Sequence, residues 1–170
     1  DNAIPRQTKA VVVVEEKDAE SLEQQVAALA AELGDELATK DPDVKVTAKK
    51  LADTAETITC AAPEATKRVA AFLQATPNGV QAMSADMPGV VQTSLNLGIL
   101  KADAEVLRAE YSVRSSVESE KDNLIAKLSA LVELTGGSYE VTGDYPGWKY
   151  RVHSPLREKM VKLYAEMYGT

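Results

Sequence analysis

The sequence predicts an α+β fold, an antiparallel sheet with helices packed on one face. Two runs alternate apolar and polar residues with a short link between them, which is the pattern of a half-buried hairpin. Between and around them lie stretches whose apolar residues recur at steps of three and four, the period of amphipathic helices. A β-branched run near the start adds a further strand.

That first strand is expected over Thr8 to Glu16, "TKAVVVVEE", bounded by Pro5 before it and charge after it. A helix follows, with Leu22, Val26, Leu29, Leu33 and Leu37 on one face, and it ends before Pro42. Gly34 falls inside that pattern, as a weak point or an earlier end. "VKVTAKKLAD", Val44 to Asp53, reads as a short edge strand whose lysines discourage edge pairing.

Pro63 at a first helical position opens a second helix with Val69, Phe72 and Leu73 inward, stopped by the turn signal "TPNG". In the hairpin, Val91, Thr93, Leu95, Leu97 and Ile99 share one face, and Leu107, Ala109, Tyr111 and Val113 match them across the link "KADA". Gln92, Ser94, Asn96, Arg108, Glu110, Ser112 and Arg114 point the other way. "SSVE" from Ser115 has the form of a capping box with Glu118, opening a third helix lined by Leu124, Leu128, Leu131 and Leu134 and stopped at "TGG". "SYEVTGDYPGW" is expected to supply a last strand and a turn. Ser154 then caps, and Pro155 opens, a terminal helix closed by Gly169.

Composition narrows the function. With a net charge of -7 over 170 residues, 26 of them acidic and 19 basic, neither nucleic acid nor an anionic membrane is an expected partner. Cys60 stands alone, which excludes an intramolecular disulfide and a CxxC pair and suits a reducing, cytoplasmic setting. No apolar run approaches the roughly 20 residues of a membrane span, and the first residues lack a signal-peptide pattern.

Catalytic chemistry is thinly represented. Cys60 and His153 are one each of their kind, and nothing in their surroundings supports a thiol-imidazole pair. His153 has no second histidine at a metal-ligand spacing and reads as a capping or solvent-facing residue. Arg114 is different: its planar guanidinium, beside two serines, can grip a carboxylate by two points or stand solvated on an open sheet face. Pattern alone favours the solvated charge. Asn2, ahead of "AIPR", reads by itself as a turn residue.

Taken in order, "NAIPR", "TPNGV", "VVQTSLNLGIL", Arg114 in "SVRSS", "YPGW" and "SPL" resemble the aminoacyl-histidine dipeptidases, a carnosinase-like branch of the di-zinc metallopeptidases. The resemblance covers essentially the whole chain. It implies a two-domain parent hydrolase that binds two zinc ions, cleaves Xaa-His dipeptides, and carries an inserted, ferredoxin-like lid domain through which it forms a homodimer. The family's HxD and HSGG-like motifs are not in this sequence, so no metal ligand is carried over and the stretch is expected to be inactive by itself.

On that resemblance, residues 1–143 correspond to a partial lid and dimerisation domain. Residues 144–170 correspond to a linker and the first helix returning to the catalytic domain. Asn2 and Arg114 match the lid asparagine and arginine that reach toward substrate, which moves Arg114 from solvated charge to carboxylate recognition. The start at "DNAIPR" is then expected to be a cut inside a lid. The competing expectation is a free-standing α+β interaction or regulatory module.

Overall fold

The structure is a computed structural model and describes residues 3–51, 57–103, 105–148 and 150–169. The chain divides into two compact units, Thr8–Cys60 and the combination of Asp1–Gln7 with Ala61–Thr170.

The Thr8–Cys60 unit is built on one helix, α1 (Glu16–Leu37). Its half-buried stripe runs Ala19, Leu22, Val26, Ala30, Leu33 and Leu37, so the expected apolar face is present except that Ala30 replaces the exposed Leu29. Gly34 does not interrupt it. The two strands expected in this unit do not form: the backbone before Glu16 has no ladder partner, and neither does the described part of the 44–53 run. Val11 is 71% exposed, and Val12 to Val14 are exposed with it. A β-branched run favours extended backbone, but a strand ladder needs a neighbouring strand, and none of the described strands pairs with this one.

In the other unit, α2 (Pro63–Ala75), β1 (Gly79–Met83), β2 (Val91–Ala102), β3 (Leu107–Ser115), α3 (Glu118–Thr135) and α4 (Pro155–Tyr168) follow in order. The three strands form an antiparallel sheet in the order β1-β2-β3. β1 lies in a stretch where the sequence signals only a turn. Its start is secured by Asn78, whose Oδ1 accepts from the Leu97 amide at 3.0 Å.

The β2–β3 hairpin forms as expected, closed by Asp103, whose carboxylate accepts from the Glu105 and Val106 amides at 2.8 and 2.9 Å. Its register slips between Leu97 and Ile99. Leu97 pairs with Tyr111 and Leu100 with Ala109, so beyond Gly98 it is Leu100, not Ile99, that shares the apolar face.

That face is covered by α3, which packs on β3, while α2 packs on α3. The core is small. Among the described residues the buried apolar side chains are Leu95, 2% exposed, and Leu124, 3% exposed, and the buried polar ones are Thr93 and Lys121. α3 ends where Gly136 adopts φ 74°, a left-handed conformation that glycine reaches without strain, and its amide returns to the Glu133 and Val132 carbonyls. Residues 138–142, where the sequence predicts a strand, pair with none of the described strands. α4 is capped by Ser154, whose Oγ accepts from the Arg157 amide at 3.3 Å. None of the described helices is long and apolar enough to cross a membrane.

Candidate functional site

With α3 on one side of the hairpin, the opposite face of β2 and β3 is left for polar residues. Arg114 stands there, exposed, directly across from Ser94, and the next pair on the same face is Asn96 with Ser112. The Asn96 amide donates to the Ala3 carbonyl at 3.1 Å, bringing residues near the start of the chain against this face. Asn2, the other expected substrate contact, lies outside the described residues. Ser94, Asn96, Ser112 and Arg114 form a row of short donors and acceptors around one guanidinium. Such a row suits two-point recognition of a carboxylate.

The strand that carries Arg114 is fixed from behind. Ser115 pairs with Thr93, their hydroxyls 2.8 Å apart, and the Thr93 hydroxyl donates to the Glu120 carboxylate of α3. Gln92 donates to the other oxygen of Glu120 at 2.9 Å. The expected capping box does not form. Ser115 is still part of β3, so Val117 is the N-cap and no side chain caps the helix; Ser115 Oγ accepts from the Val117 amide at 3.0 Å. Glu118 turns away from Ser115, accepting from Lys121 Nζ at 2.7 Å and from the Gly147 amide at 3.1 Å.

Lys121 completes a second polar cluster. Its Nζ lies 2.5 Å from Asp144 Oδ1 and 3.1 Å from the Tyr145 carbonyl. The hydrogen bonds to Asp144 and then Glu118 raise its pKa above the ordinary lysine value. Lys121 and the Gly147 amide together lower that of Glu118. Tyr111, which pairs with Leu97, has its phenol raised by burial, partly offset by a hydrogen bond with Thr76. Sequence reasoning missed both clusters. The only local trace of the Lys121 cluster is the Glu118–Lys121 spacing of three on a helix.

Cys60 is an exposed thiol in the Thr8–Cys60 unit, and His153 is exposed ahead of the Ser154 cap. Among the described residues, no three His, Cys, Asp or Glu side chains come together as a metal cradle. They offer no ligand set for the two zinc ions that the resemblance implies for the parent hydrolase. What the described face can do is bind and orient an anionic group.

No family model matches the sequence. The chain is 30% identical over 168 residues to the cytosol non-specific dipeptidase of Escherichia coli (strain K12), a match that covers 99% of this chain and 34% of that protein. Its fold superposes on the crystal structure of aminoacylhistidine dipeptidase from Vibrio alginolyticus with a TM-score of 0.81 and 28% identity, over 91% of this chain and 31% of that one. The chain therefore spans about a third of the length of the relatives it matches.

Proposed function

We propose, on the premise that this chain corresponds to a stretch of the aminoacyl-histidine dipeptidase family, that it forms the substrate-recognising lid portion of a cytosolic dipeptidase. The observation that carries the proposal is Arg114, presented to solvent across from Ser94 on a sheet face whose other side is anchored to α3. A rigidly backed guanidinium with hydroxyl neighbours is suited to grip the carboxylate end of a dipeptide. Asn2 is assigned to the same task by the resemblance alone.

In this reading residues 1–143 belong to the lid and to the contacts of a homodimer, and residues 144–170 lead back to the catalytic domain. The exposed apolar residues Leu156, Met160, Leu163 and Met167 of α4 support it, because such a face on a helix calls for a covering surface. The two zinc ions and the general base belong to the rest of the enzyme. This stretch contributes binding energy, orientation of an Xaa-His dipeptide and exclusion of water, and is inactive by itself.

The test is Arg114→Ala in the complete protein, with kcat/KM measured on an Xaa-His dipeptide. A loss of about 2 to 4 kcal/mol in transition-state stabilisation is expected, a fall of roughly 30- to 1,000-fold. An unchanged kcat/KM would refute the assignment.

A further inference from the structure

Arg114 stands one residue from the end of β3, where a strand ladder opens most easily. Past its rung with Ser94 come the rung of Thr93 with Ser115 and a bond from the Ser116 amide to the Gln92 carbonyl at 3.1 Å. A guanidinium holds a two-point geometry only while that end stays shut.

Glu120 closes it from α3. It stands third after the N-cap Val117, the place from which a glutamate ordinarily reaches back to the amide of the cap residue. Here that amide donates to Ser115 Oγ at 3.0 Å, and the Glu120 carboxylate crosses to β2 instead. One oxygen takes the Gln92 side-chain amide at 2.9 Å, and the other takes the hydroxyl of Thr93, a residue only 2% exposed. An ionised carboxylate accepts and cannot donate, so the Thr93 proton is committed to it. The 2.8 Å contact between Thr93 and Ser115 is then made with the Ser115 proton, and the hydroxyls run in one sense, from Ser115 to Thr93 to Glu120. Without the carboxylate that sense can reverse, because Ser115 Oγ also reaches the Val117 carbonyl at 2.9 Å.

We propose that Glu120 is the positioning residue for Arg114. Acting through Thr93 and Ser115, it fixes the rung next to Ser94 and Arg114 and so sets where the guanidinium stands on the opposite face of the sheet. The inference rests on the recognition role proposed above for Arg114, and adds to it a residue of α3 that acts from the other side of the hairpin.

The test measures kcat/KM on an Xaa-His dipeptide for Glu120→Ala and Thr93→Val in the complete protein, each made in the wild-type and in the Arg114→Ala background. Thr93→Val keeps the side-chain shape and Glu120 but breaks the relay. In the wild-type background each is expected to lower kcat/KM about tenfold, with a smaller loss in Glu120→Gln, which keeps one acceptor oxygen. In the Arg114→Ala background the same changes are expected to move it less than about twofold, because the group they position is gone. Equal losses in both backgrounds would overturn the proposal and make the cluster one of general stability. No loss in either variant, while Arg114→Ala keeps its own, would overturn it and leave the recognition reading standing. If Arg114→Ala is itself silent, the recognition reading falls first and the positioning role with it.

Discussion

Ser94 and Arg114 are cross-strand partners on the face of the β2–β3 hairpin that α3 does not cover. The pairing places a hydroxyl beside a guanidinium on a backbone that neither residue can leave without breaking the ladder. The role proposed for Arg114 therefore extends to its partner. If the proposed role holds, Ser94→Ala in the complete protein should lower kcat/KM on an Xaa-His dipeptide less than Arg114→Ala, and a double-mutant cycle should show a coupling of about 0.5 to 2 kcal/mol. Strict additivity of the two effects would show that Ser94 is a bystander.

Stability should be concentrated at Leu95, the most deeply buried apolar side chain among the described residues. Leu95→Ala removes apolar contact and leaves a cavity against α3, and a loss of about 2 to 5 kcal/mol is expected in urea denaturation. A loss under about 1 kcal/mol would place the stabilising contacts elsewhere.

The polar cluster predicts a pH profile with two limbs. Glu118, whose folded pKa is lowered from 4.5 by Lys121 and then the Gly147 amide, contributes stability that is complete above its unfolded value and lost as pH falls through the folded one. Lys121, raised from 10.5 by Asp144 and then Glu118, contributes stability that is complete below 10.5 and lost as pH rises through its folded value. Thermal melts should thus show an acid limb below about pH 5 that flattens in Glu118→Gln. A mutant whose acid limb matches the wild type would contradict the assignment.

Gly147 has no room for a side chain. Gly147→Ala would force the Ser115 carbonyl or the 144–147 segment to move, at a cost of about 1 to 3 kcal/mol by overpacking. An unperturbed melting temperature would mean that the segment shifts freely.

The α4 cap offers a local control. Ser154→Ala removes the acceptor for the Arg157 amide and should cost about 1 kcal/mol of helix stability, read from the ellipticity of the α4 region or of a peptide spanning it.

Legible along the chain are the elements whose signals are periodic and local. The four helices follow the three-and-four spacing, with Pro63 and Pro155 at their starts and Gly136 and Gly169 at their ends. The hairpin follows its alternation, and Arg114 is placed on the polar side by counting residues in twos. Periodicity reports which residues share a face, and that much is written along the chain.

What those faces meet depends on residues distant in sequence. Val11 to Val14 have strand chemistry but no described partner, while Gly79–Met83, with a weaker pattern, finds β2 and becomes a strand. The slip at Gly98 exchanged Ile99 for Leu100 on the apolar face. Glu118, expected to cap its own helix, was drawn to Gly147, and Lys121 to Asp144, because the chain returns along α3 to meet them. A strand needs a neighbour to satisfy its backbone and a buried charge needs partners to balance its desolvation, and both conditions are met by residues distant in sequence.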